Sequence, residues 1–87
     1  MDDLLGQLFL SLAGRDKGIV CTVVGKPDDE GYVLIADGRI RKVENPKKKK
    51  LKHLKPIDVA PLDVEKLTNR FIREAINGLE DKSEPTL

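Results

Sequence analysis

The residues best able to do chemistry in this chain lie between Arg39 and Lys55. Nine Lys and Arg stand there against one acid, Glu44, giving +8 within a chain whose net charge is +1. Residues 1–38 carry −4 and residues 56–87 carry −3. Basic charge gathered in this way suits phosphate, because each cation that meets a phosphate releases a condensed counterion. The candidates are Arg39, Arg41, Lys42, the consecutive Lys47, Lys48, Lys49 and Lys50, and then Lys52 and Lys55. Most charge runs are solvated faces or tails. This one is internal and has strand signals on both sides.

Other chemistry finds little support. His53 is the single histidine and Cys21 the single cysteine, so neither an internal disulfide nor a His/Cys metal site can be assembled. A lone histidine on a basic strand is more often a structural hydrogen-bonder than a catalyst, and its other role would be to stack on RNA or contact phosphate. Asp28, Asp29 and Glu30 lack the spacing of a calcium loop and read as a solvated hairpin tip. No nucleophile has a base beside it, and no glycine-rich phosphate loop precedes a helix. A non-enzymatic chain without cofactor, metal or small-molecule substrate is expected. No apolar run approaches the length of a membrane span. The start Met1-Asp2-Asp3 has the wrong sign for a secretory leader, so a cytoplasmic protein is expected.

The elements that must carry these cations are short strands. Leu8, Leu10 and Leu12 alternate with Gln7, Phe9 and Ser11, the period of a half-buried strand. Ile19 to Val24 is a β-branched apolar run, and Tyr32 to Ala36 is a third strand. Asp37-Gly38 has the residues of a type I′ turn, which predicts a hairpin returning through Arg39 to Val43. Asn45-Pro46 breaks that strand, Lys47 to Lys50 follows as a solvated loop, and Leu51 to Leu54 reads as a last edge strand. Beyond Pro56, Asp63 can cap a helix with Leu62 stapled to Leu67. Val64, Leu67, Phe71, Ile72, Ala75 and Ile76 form its apolar stripe, and Gly78 would end it. Packing through Leu67, Phe71 and Ile72 or Ala75 is expected. Five strands and one helix in 87 residues predict a mainly β chain, a small barrel rather than a sandwich.

The segment Ser11-Leu12-Ala13-Gly14-Arg15-Asp16-Lys17-Gly18, with the strands on either side, resembles the KOW motif: alternating apolar residues, a Gly-x-x-Lys-Gly turn, and a second apolar strand. Residues 6–32 span that motif. The resemblance extends through Asp37-Gly38, the basic segment and the ending His53-Leu54-Lys55-Pro56. That pattern is similar to archaeal and eukaryotic large-subunit ribosomal proteins of the fourteen-e type. The chain departs from it by the segment Asn45 to Lys50 and by a shorter C-terminal part, and is identified as a bacterial KOW-domain relative.

The resemblance implies an SH3-like (KOW) barrel over residues 1–57, RNA binding through its loops, and a place in translation. It adds Arg15 and Lys17 of the turn to the cations named above, with His53, Leu54 and Pro56 at family positions. A helix over 58–79 and a frayed tail over 80–87 complete the expected organisation. The expected partner is RNA, ribosomal RNA foremost, held by a protein that is monomeric when free and sits on the ribosome or its assembly intermediates near ribosomal proteins. With Phe9, Tyr32 and Phe71 the only aromatics, stacking platforms look absent and backbone recognition dominates. The competing expectation is a protein-interaction module that docks on ribosomal protein or RNA polymerase. The lysine run weighs against it, since interface cores are depleted in Lys.

Overall fold

The computed structural model describes residues 4–83. Five strands come first: β1 (Leu8–Ser11), β2 (Val20–Gly25), β3 (Tyr32–Ala36), β4 (Lys47–Lys50) and β5 (Leu54–Pro56). One helix, α1 (Asn69–Ser83), follows. The strands form a single antiparallel sheet in the order β4-β3-β2-β1-β5.

The expected barrel is not formed. The edge strands are β4 and β5, and no ladder joins them among the described residues. The strand that would close the sheet has three residues and ends at Pro56, which lacks an N–H to donate. A single 3₁₀ turn, Leu51–His53, carries the chain from one edge to the other. The sheet is still strongly bent. A register shift between Val23 and Gly25 marks a bulge in β2, and Lys49 on one edge reaches the carbonyl of Ala13 beyond the end of β1, at 2.8 Å.

Apolar side chains cover both faces. Phe9, Cys21, Val23, Val33, Ile35 and Leu54 are buried together on one, with Leu4, Leu5 and Leu51 against them. Leu8, Ile72 and Ile76 form the second cluster, joined by half-buried residues that include Val20, Leu62 and Leu67. Two-sided cover corrects the period-2 reading of β1. Phe9 and Ser11 are as buried as Leu8, while Leu12 is 45% exposed.

Three strand assignments also change. Leu51 to Leu54, expected as a strand, is a 3₁₀ turn as far as His53, and β5 starts only at Leu54. Arg39 to Val43 is a loop, because the Asp37 carboxylate accepts from the amides of Arg39 and Arg41, both at 2.9 Å, and so takes donors a ladder would use. Gly38 holds a φ of +81° there, and a Cβ on it would overlap the Asn69 carbonyl oxygen, so α1 packs on bare backbone. The returning strand is the lysine run. Ile35 pairs with Lys47 and Tyr32 with Lys50, and Lys49 is buried. The expectation of a solvated loop there fails because lysine stems are apolar enough to line a sheet edge, and edge strands favour Lys, which blocks further pairing.

The helix begins later than its sequence pattern suggests. Asp63 caps a 3₁₀ turn, Val64–Lys66, accepting from the Glu65 amide at 3.0 Å. The main chain leaves helical geometry at Leu67, and Thr68 then caps α1, its hydroxyl accepting from the Phe71 amide at 3.1 Å. Packing runs through Ile72 and Ile76, whereas Phe71 and Ala75 lie half-buried on the flanks. The helix continues through Gly78, since a glycine with ordinary φ only weakens a helix. The expected frayed tail is therefore helical as far as Ser83, and its residues 84–87 lie outside the described residues.

Candidate nucleic-acid interface

The β1–β2 turn is built to point its cations outward. Gly14 and Gly18 take φ values of +78° and +88°. The amides of Gly18 and Ile19 donate to the carbonyls of Ser11 and Asp16 at 2.8 and 2.9 Å. This tight path turns Asp16 inward, where it is buried, and leaves Arg15 and Lys17 exposed on either side of it.

Asp16 is the junction of the site. Arg41, from the β3–β4 loop, places its guanidinium 3.4 Å from one carboxylate oxygen, and the Lys49 ammonium lies 3.7 Å from the other. One buried acid therefore ties the turn after β1 to the loop after β3 and to strand β4. The same loop is fixed from its other side by α1. Asn69 accepts from the Val43 amide and donates to the Glu44 carboxylate, both at 2.8 Å. That hydrogen bond holds the Glu44 carboxyl below its ordinary pKa. Arg73 donates to the Gly38 carbonyl at 3.0 Å, and Arg39 reaches Asn77 at 2.9 Å. Arg39 and Lys42 are exposed on a loop with little freedom, next to the turn that carries Arg15 and Lys17.

The four consecutive lysines divide by pleat. Lys49 is engaged inside, with Asp16 and the Ala13 carbonyl. Lys47 is half-buried. Lys48 and Lys50 point outward beside Tyr32, with ammonium groups 4.9 and 6.0 Å from its ring centroid. Lys48 is also paired with Asp29, which raises its pKa. Lys52 and Lys55 are exposed on the 3₁₀ turn and β5. His53 is half-buried, and its carbonyl accepts from the Leu12 amide at 2.9 Å, so its main chain holds the β1–β2 turn.

Of the twelve cationic or imidazole side chains that the sequence nominates, the structure thus brings Arg15, Lys17, Arg39 and Lys42 together as exposed charges at one end of the sheet. Arg41 and Lys49 are turned to Asp16 instead. Sequence reasoning missed Asp16, given no role of its own within the Gly14–Gly18 turn, and Tyr32, whose neighbours only the β3–β4 register reveals. Burial pushes the Cys21 thiol up to about 12, with Asp37 and Asp16 adding to the shift. Among the described residues no group of three or more His, Cys, Asp or Glu is placed to hold a metal ion, and no helix is long and apolar enough to cross a membrane. No protein-family model matches this chain, and no curated protein matches its sequence.

Proposed function

We propose that this chain is a non-catalytic RNA-binding protein that grips structured RNA by its phosphates at the loop end of the sheet. The observation that carries the reading is the pairing of buried Asp16 with half-buried Arg41. It joins two loops whose remaining cations, Arg15, Lys17, Arg39 and Lys42, all face solvent. Held on tight turns and braced by α1, these charges meet a phosphate array with little ordering cost, and counterion release supplies the affinity. The contacts are to the backbone, so recognition follows the shape of the RNA more than its sequence.

The resemblance of the Gly14–Gly18 turn to the KOW motif, and of the wider segment to ribosomal proteins of the fourteen-e type, points to ribosomal RNA as the target. The protein would then act in the cytoplasm, on the ribosome or during its assembly. Crosslinking in cells followed by sequencing of the bound RNA tests this. Enrichment of ribosomal RNA at one site supports the reading. Recovery of no RNA, with crosslinks only to ribosomal protein or RNA polymerase, would replace it with a protein-docking role.

A further inference from the structure

Tyr32 opens β3 at the start of an exposed groove. Its ring is half-buried, its cross-strand partner is Lys50, and Gly31 precedes it. Gly31 has a φ of +84°, and a Cβ placed on it would meet nothing within 4 Å, so the surface beside Tyr32 is open at that point. The groove has a volume of about 580 Å³ and is lined by Glu30, Gly31, Tyr32, Lys50, Leu51 and Lys52. An aromatic ring at the surface beside two lysines is the combination that holds a nucleotide: the ring stacks on a base and the ammonium groups meet the phosphate.

We infer that Tyr32 is a stacking platform for one unpaired base of the bound RNA, with Lys50 and Lys52 taking the adjoining phosphate. The inference rests on the RNA-binding reading and adds a second site to it. The local charge limits the site to one nucleotide. Asp29 holds Lys48, and Glu30 stands at the groove's rim, so further phosphates on that side meet acids. Lys48 and Lys50 lie over the ring in the free protein, so a stacking base displaces their ammonium groups from it. Stacking is tolerant of base identity, so the site demands an unpaired nucleotide rather than a particular one.

The chain offers a direct probe, because it contains one Tyr and no Trp. Its tyrosine emission reports Tyr32 alone. An RNA hairpin with an unpaired loop is titrated into the whole protein at low salt, with anisotropy of a labelled RNA following binding and emission following the ring. Emission should fall as the hairpin saturates. Tyr32→Phe should bind within about twofold of wild type, and Tyr32→Ala roughly tenfold more weakly. An abasic loop should weaken wild type to the level of Tyr32→Ala. Saturation with unchanged emission, or equal binding by wild type and Tyr32→Ala, overturns the stacking site and leaves the phosphate-binding reading standing. No anisotropy change at low salt overturns both.

Discussion

Replacing Asp16 with Asn removes one charge and almost no volume, yet it should be among the most damaging substitutions in the chain. Asp16 is 4% exposed and faces Arg41 at 3.4 Å and Lys49 at 3.7 Å. At an effective dielectric of about 20, each such pair is worth roughly 4–5 kcal/mol before desolvation. Arg41 keeps 29% of its side chain in solvent and can turn toward water once released. Lys49, with a side chain 9% exposed, cannot do so without leaving the sheet edge. Removing one partner from a buried pair typically costs about 3–5 kcal/mol, and the freedom of Arg41 places Asp16→Asn near 3 kcal/mol. For a domain of this size that is a fall in Tm of roughly 12–24 °C. Urea and thermal unfolding followed by circular dichroism read it directly. The double variant Asp16→Asn, Lys49→Met should recover part of the loss, because it removes the stranded ammonium. A Tm for Asp16→Asn within about 2 °C of wild type would show that the acid does not hold the two loops together, and the positioning argument for the interface would fail with it.

Packing of α1 can be checked by two neighbouring alanines. Ile72→Ala, at a fully buried position against Leu8, should cost about 3 kcal/mol, while Phe71→Ala on the flank should cost about 1 kcal/mol or less in the same unfolding assay. Glycine positions separate strain from contact. Gly18→Ala should lose only the roughly 1–2 kcal/mol of a left-handed backbone, since a Cβ there meets nothing, whereas Gly38→Ala should lose about 3 kcal/mol or more because it also displaces α1. The Cys21 thiol, raised to about 12 in the fold, keeps its proton there while an unfolded thiol gives it up near 9. Its contribution to stability is therefore complete below about pH 9 and is lost as pH rises toward 12, and Cys21→Ala should unfold with a shallower alkaline decline. In native protein at pH 8, thiol labelling should proceed at the rate of unfolding.

Much of the fold is legible where a residue type admits one conformation. Gly14 and Gly18 announce a turn with positive φ, and the β-branched run of β2 announces a strand. The stripe that includes Ile72 and Ile76 announces a helix that must be covered. What escapes the sequence depends on partners distant in the chain. Asp37-Gly38 suits a two-residue hairpin turn as well as the wider loop it makes, and the choice follows from α1 seating its Asn69 and Arg73 on that loop. The lysine strand is hidden because alternation is invisible in four identical residues. Only the pairing of Ile35 with Lys47 puts Lys49 inside and Lys48 outside. Closure of the sheet hinges on whether two short edges meet, which no local pattern encodes. The candidate interface is legible in the same measure: its charges can be counted from the sequence, but Asp16 decides which of them are free.

The salt dependence of RNA affinity tests the central claim most directly. Binding of wild type to a structured RNA is measured by anisotropy across a range of salt concentrations, beside a variant with Arg15, Lys17, Arg39 and Lys42 all changed to Ala. Four or five phosphates engaged by wild type give a log–log slope near −4, and loss of the four loop cations should bring the slope to about −1 or shallower with affinity reduced alike for unrelated RNAs. A flat salt response in wild type, or a variant whose slope matches it, would contradict phosphate binding at the loop end of this sheet.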